Sequence, residues 1–297
     1  MGLFFNYNFD IRLLEKRGTD ELFSTEGREI LHIGSDLGLF KRNPLCICAD
    51  PFLFVRGDEL FLFFESQRRH RGKGELHMTK TSDLEHWSEE VCILREPFHL
   101  SFPNVFEHGG QVYMIPESGA DGSVRLYRAA DDSLTRWELQ RKILDTGVPW
   151  VDSSLLNHDG VWYLFTGTYS RKSCCARLFF SDSLDGVFKE HPCSPICSDS
   201  SYARNAGSII KYEGGLYRPV QDCSVGYGKQ VSIMRIDALS TTEYGESLFK
   251  KHILDKSEPF YKWGGHQFNI IRYKGRTITA TDAKKRNYNI LDYLKSL

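Results

Sequence analysis

Two aspartates stand at matching points of two similar segments, Asp50 in CADPF and Asp152 in VDSS, and two glutamates, Glu65 in FFES and Glu117 in IPES, close strands that follow such starts. Carboxyl groups gathered around a funnel suit glycoside hydrolysis. One assists the attacking water or sugar carbon, and another, its pKa raised, protonates the leaving oxygen. The structural alternative is that each aspartate accepts backbone N–H groups where a strand begins, as Asp commonly does in turns.

What would bring these residues together is a repeat. Five segments share one plan, an apolar run, a Gly-containing turn and an aromatic-rich strand with a polar end: residues 48–66, 101–118, 151–168, 205–222 and 266–283. Each reads as a β-hairpin. Aligned on Phe61, Tyr113, Tyr163, Tyr217 and Ile278, they are offset by 52, 50, 54 and 61 residues, the spacing of a four-stranded propeller blade. A weaker strand pair with Asp in its turn follows each of the first four. The expected fold is all-β, a single five-bladed β-propeller over 45–297 with blades starting near 48, 101, 151, 205 and 266. Residues 1–44 form an N-terminal segment that could close it.

In a propeller the innermost strands line the axis, so equivalent positions form rings. One predicted ring holds Asp50, Phe102, Asp152, Ala206 and Gln267, and a second holds Glu65, Glu117, Gly167, Gln221 and Asp282. A residue serving the packing of its own blade should recur in every blade, and these acids do not.

Other residues bear on a substrate. Arg204 and Arg218 flank the fourth hairpin, and a guanidinium fork matches a carboxylate or phosphate, which points to an anionic sugar; the alternative is an ion pair with Asp222 or Glu117. Trp150, Trp263 and Tyr227 offer flat faces for sugar rings, with core packing as the alternative. His266, after two glycines, is placed to hydrogen-bond a sugar hydroxyl or an acid. Asn104, Gln221 and Asp222 complete the candidate substrate-binding set. The cysteines and His191 of HPCSPIC lack a second ligand pair at zinc spacing, so no metal or cofactor is expected. The basic loop RRHRGKGE has no following helix and reads as a solvated tip.

Composition removes other classes. With 38 Lys+Arg against 39 Asp+Glu, no bulk charge exists to hold nucleic acid. No apolar run reaches the ~18 residues of a membrane span. The absence of a signal-like leader and of a disulfide-dense pattern points to reduced thiols and a cytoplasmic location, and a monomer is expected.

The ADPF start with its aromatic strand, and VDSS two blades on, resembles the five-bladed furanosidase-type propellers of glycoside hydrolase family 43 and its relatives in families 32, 62 and 68. SFPNVFEHGGQVYMIPES, VRLYRA, VDSSLL with WYLFT, and LYRPVQDCSVGYG are more closely similar to the propeller at the N-terminus of plant glucosamine inositolphosphorylceramide transferases and in bacterial surface-glycan gene products. The resemblance spans roughly residues 45 to 283 and implies a carbohydrate-active propeller, with Asp50 as general base and Asp152 as an orienting or pKa-tuning acid. Family 43 supplies its general acid as a Glu at the start of the fourth blade, where this chain has Asn205 and Ala206. Glu117 is the best substitute and Glu65 the second, giving an inverting glycosidase; without a suitable acid the propeller would bind a glycan or glycolipid and assist a transferase.

Overall fold

The computed structural model describes residues 5–18, 21–34, 46–68, 72–170 and 173–288. These form five antiparallel sheets, and the regular helix among them is confined to two short 3₁₀ turns. Blade 1 is β3 (Cys46–Arg56), β4 (Glu59–Arg68), β5 (Gly74–Thr81) and β6 (Val91–Leu94). Blade 2 is β7 (Ser101–His108), β8 (Gln111–Glu117), β9 (Ser123–Ala129) and β10 (Trp137–Asp145). Blade 3 is β11 (Val151–His158), β12 (Val161–Ser170), β13 (Ser173–Ser181) and β14 (Lys189–Glu190). In blade 4 the inner strand is split into β15 (Arg204–Asn205) and β16 (Ile210–Tyr212), followed by β17 (Gly215–Asp222), β18 (Gln230–Leu239) and β19 (Tyr244–Lys250).

Blade 5 is assembled from both ends of the chain. Its inner hairpin, β20 (Phe268–Tyr273) and β21 (Arg276–Tyr288), is completed by β1 (Phe5–Lys16) and β2 (Arg28–Ile33). Strand β1 pairs with β21 along its full length, from Phe5↔Tyr288 to Lys16↔Thr277. The N-terminal segment thus supplies two outer strands of the last blade, and the part of it over 35–45 lies outside the described residues, as do 69–71 of the basic loop.

Aromatic strands fill the spaces between blades because both faces of a blade are covered, and successive side chains point to opposite faces. Along β4, Phe61 and Phe63 pack toward blade 2 with Phe102, Met114 and Trp137. Leu60, Leu62 and Phe64 turn the other way, onto Ile11, Leu13 and Ile278 of blade 5.

The start of the inner strand departs from regular pairing in blades 1, 2 and 3. Pairing slips between Ala49 and Phe52, between Ser101 and Asn104 and between Val151 and Ser154. Asp50, Phe102 and Asp152 take left-handed backbone there, with φ of 52°, 46° and 47°, a conformation that disfavours a residue with a Cβ. Each bulge turns a backbone N–H across a blade boundary. Asp50 N–H donates to Asp282 Oδ2 (3.1 Å), Phe102 N–H to Asp50 Oδ2 (3.1 Å) and Asp152 N–H to Glu117 Oε2 (3.2 Å). At the blade 4–5 boundary Gly207 does the joining differently. Its φ is 152°, and a Cβ there would lie 2.1 Å from Phe268 O.

One layer further along the axis, polar side chains tie the blades together again. Asn104 Nδ2 and Asn269 Nδ2 both donate to Ser208 Oγ (3.0 and 3.2 Å), and their Oδ1 atoms accept Leu155 N–H and Leu53 N–H (3.1 Å each). Ser154 Oγ donates to Gly207 O (2.8 Å). Asn104, expected at a substrate, has its amide engaged on both sides inside the fold. Asn104→Ala strands the buried Leu155 N–H and removes one of the two donors to Ser208 Oγ, and should lower stability by about 1–3 kcal/mol in urea unfolding; a change under a few tenths would contradict this role.

Candidate active site

Both predicted rings meet at the axis, and their acids are buried: Asp50, Glu65, Asp152 and Asp282 all lie below a tenth exposed, and the Glu117 side chain is 15% exposed. The bulges hold Asp50 and Asp152 within their inner strands β3 and β11. Glu65, Glu117 and Asp282 project from the neighbouring strands β4, β8 and β21.

Around Asp50 the neighbours are Asp282 and His266. His266 Nδ1 lies 2.7 Å from Asp282 Oδ2 and 3.6 Å from Asp50 Oδ1, close enough for an ion pair though not aligned as a hydrogen bond. Its ring stacks on Phe9 (centroids 4.3 Å apart) and meets Tyr227 edge-on. Burial alone would lower the imidazole pKa, but Asp282 and Asp50 raise it. Burial likewise opposes ionisation of Asp282, yet His266 and the N–H groups of His266 and Asp50 hold its carboxyl below the usual value. Asp50 is pushed up to about 7, chiefly by burial, with Asp152 and Asp282 adding to the rise and His266 opposing it. Asp50, His266 and Asp282 have donor atoms close enough to surround a cation, but only if His266 gave up the proton that the two carboxylates favour.

Around Asp152 the neighbour is Arg204. Its Nε donates to Asp152 Oδ2, and Nη2 lies 3.6 Å from Glu117 Oε2. The guanidinium also sits over the rings of Tyr169 and Tyr227, 4.8 and 4.9 Å from their centroids. Gln221 Nε2 donates to the same Asp152 oxygen (2.7 Å). Asn205, where a general acid was sought, donates from Nδ2 to Asp152 O and Phe165 O. Burial and the neighbouring Asp152 push Glu117 well above the ordinary carboxyl range despite Arg204. Glu65 is raised too, by burial and by the other four acids.

The structure therefore brings Asp50, Glu65, Glu117, Asp152, Arg204, Gln221 and His266 to one place. It takes others elsewhere. Arg218 is fully buried inside blade 4, where both Nε and Nη2 bond Glu246 (2.9 and 2.6 Å) and Nη1 bonds Asn205 Oδ1. Neither Asp222 nor Glu117 is its partner. Asp222 is held by Ser224, with Lys229 and His252 nearby. Trp150 lies in the blade 2–3 core against Phe179, its Nε1 bonded to Thr146 Oγ1. Trp263 is 40% exposed, with Lys262 over its ring. Sequence reasoning missed Phe9 and Tyr169, which lie far along the chain from the groups they touch; Asp282 was visible only as a ring position.

The chain matches the family model described as glucosamine inositolphosphorylceramide transferase 1, N-terminal, over residues 40–280. It belongs to that family. It is 37% identical over 235 residues to glucosamine inositolphosphorylceramide transferase 1 of Oryza sativa subsp. japonica, covering 77% of this chain and 31% of the relative. The Arabidopsis thaliana transferase of that name is 39% identical over 237 residues, covering 76% and 31%. The chain thus spans about a third of these relatives. In fold it is similar to a family 117 glycoside hydrolase of Zobellia galactanivorans (TM-score 0.57, 12% identity, 95% of this chain and 91% of the other). It is also similar to an α-L-arabinofuranosidase of Podospora anserina (TM-score 0.58, 9% identity, 81% and 90%). This chain therefore shares its five-bladed propeller fold with these glycoside hydrolases.

The raised Asp50 pKa has a consequence for stability. An unfolded Asp titrates near 3.9 and this one at about 7, so its protonated form favours folding. That contribution is full below pH ~4 and is lost as pH rises through ~7. Asp50→Asn should remove the loss, so the variant's melting temperature should gain on the wild type between pH 4 and 8. A constant difference would contradict the shift.

Proposed function

We propose that this propeller acts on a glycosidic bond as an inverting hydrolase, with Asp50 as general base and Glu117 as general acid. The observation that carries this reading is that two axial carboxyls, Asp50 and Glu117, are each held through one oxygen by a backbone N–H of the next blade and are both raised by burial. Burial and Asp152 raise the Glu117 carboxyl well above its ordinary range, which favours its proton-bearing form, and Asp50, raised to about 7, is available to take a proton. In such a reaction Asp50 removes a proton from water as the water oxygen attacks the anomeric carbon. Glu117 passes its proton to the leaving oxygen as the old C–O bond breaks. Asp50 ends protonated and Glu117 ionised, and exchange with solvent restores both. Asp152 takes the positioning role, holding Arg204 and Gln221 beside the acid.

A second reading is supported by Asn205. It stands where family 43 enzymes carry their acid and is committed to backbone acceptors. Under that reading the propeller binds a glycan or glycolipid without cleaving it and presents it to a transferase, in keeping with the name of relatives of which it spans a third.

Reducing-end release from a panel of furanoside and amino-, neutral and acidic pyranoside glycans separates the two. The hydrolase reading expects turnover that rises with pH toward 7 and falls about 10²–10⁴-fold in Asp50→Asn and in Glu117→Gln. Binding measured by calorimetry with no product from the wild type would favour the second reading.

A further inference from the structure

Two thiols outside the acid cluster meet across the boundary between blades 3 and 4. Cys174, on β13, is 2% exposed and is held in the ladder opposite Tyr169 of β12. Cys223 directly follows β17, and its N–H donates to Ser200 O (2.8 Å). The two side chains pack together, their thiols hydrogen-bond, and both are free cysteines. Cys223 closes the YRPVQDC run, and the acid–base reading gives its sulfur no role.

The surroundings of the two sulfurs differ. Cys174 is enclosed with Ala176 and Ala203, whereas Cys223 lines a groove with Tyr169, Ser173, Ser200 and Ser224. The Cys174 S–H and the Gly228 N–H both donate to the Cys223 sulfur, and Arg204 and Lys284 place positive charge near it. Led by the bond from Cys174, these groups lower the Cys223 pKa although burial opposes them. The same bond, with burial, raises the Cys174 thiol. An accessible thiolate backed by a buried, protonated thiol is the arrangement in which the first meets an oxidant and the second resolves the product. With its proton on, Cys223 also reaches Gln221 Oε1 (3.8 Å), and Gln221 Nε2 holds Asp152, so the pair adjoins the axial acids without belonging to them.

We propose that Cys223 and Cys174 form a redox-active pair that reacts with hydrogen peroxide, Cys223 as the attacking thiol and Cys174 as the resolving thiol. The Cys223 thiolate, its proton given to solvent, attacks one peroxide oxygen. The O–O bond breaks, and the hydroxide that leaves takes a proton from solvent and becomes water. The Cys174 sulfur then attacks the sulfenic sulfur of Cys223. An S–S bond forms, the S–O bond breaks, and the hydroxyl departs as water with the Cys174 proton. Two thiols are oxidised while one peroxide is reduced to two waters, and a dithiol reductant reverses the link by exchange. The disulfide ties blade 3 to blade 4.

The test exposes the full chain at pH 7 to rising hydrogen peroxide and maps its cysteines by mass spectrometry, with dimedone present to trap sulfenic acids. The inference expects a linked Cys174–Cys223 peptide as the first oxidation product, ahead of any change at Cys193, the exposed thiol among the described cysteines, and expects dithiothreitol to remove it. In Cys174→Ala, which leaves no resolving thiol, the dimedone adduct at Cys223 should rise about tenfold or more over the wild type. Oxidation at Cys193 before the pair, a first link that joins Cys197 to either residue, or no link at all overturns the inference. Should Cys174→Ala fail to fold, the order of oxidation in the wild type decides by itself.

Discussion

Three inner strands carry a left-handed residue whose N–H leaves its own blade, and the rest of the axis depends on where that N–H goes. A buried backbone donor needs an acceptor. At Asp50, Phe102 and Asp152 the acceptor is a carboxylate of the preceding blade in the ring, Asp282, Asp50 and Glu117 respectively. The fold thereby requires acids at its centre. Because the blades are packed with Phe, Leu, Ile and Met on both faces, those acids lie in a medium that resists their ionisation.

This joins the structural and chemical readings of the aspartates, which the sequence analysis set against each other. Asp50 accepts the Phe102 N–H through Oδ2 and faces His266 with Oδ1. Glu117 likewise gives one oxygen to the Asp152 N–H. One oxygen holds each group still and the other is left for chemistry, which is the preorganisation a general acid–base pair needs. The same crowding raises Glu65, Glu117 and Asp50 together.

The repeat was legible because it is written in a period of 2 within strands and of about 50 between them, and both survive without tertiary information. The two rings followed from alignment alone, and placed Asp50, Asp152, Glu65, Glu117, Gln221 and Asp282 correctly in relation to one another. Partners of long side chains were not legible. Arg218 meets Glu246 because β17 and β18 are adjacent and β19 lies beyond them, a lateral relation that offsets along the chain do not encode. Trp150 precedes its strand by one residue and turns into the core, where its indole N–H finds Thr146. Phe9 reaches His266 only because β1 returns to pair with β21. The loss of regular pairing at the bulges was hidden too, since Asp, Phe and Asp share no preference for left-handed backbone.

The central claim is that burial at the axis raises both the Glu117 and the Asp50 carboxyls and poises Asp50 near neutrality. It is tested most directly by following the ¹³C shifts of the Asp50 and Glu117 side-chain carboxyl carbons from pH 3 to 9 by NMR, with Asp50→Asn and Glu117→Gln to assign the signals. The account predicts that the Glu117 midpoint lies well above the ordinary carboxyl range and that Asp50 reaches its midpoint near 7. Midpoints near 4 for both, as for carboxyls in water, would contradict it.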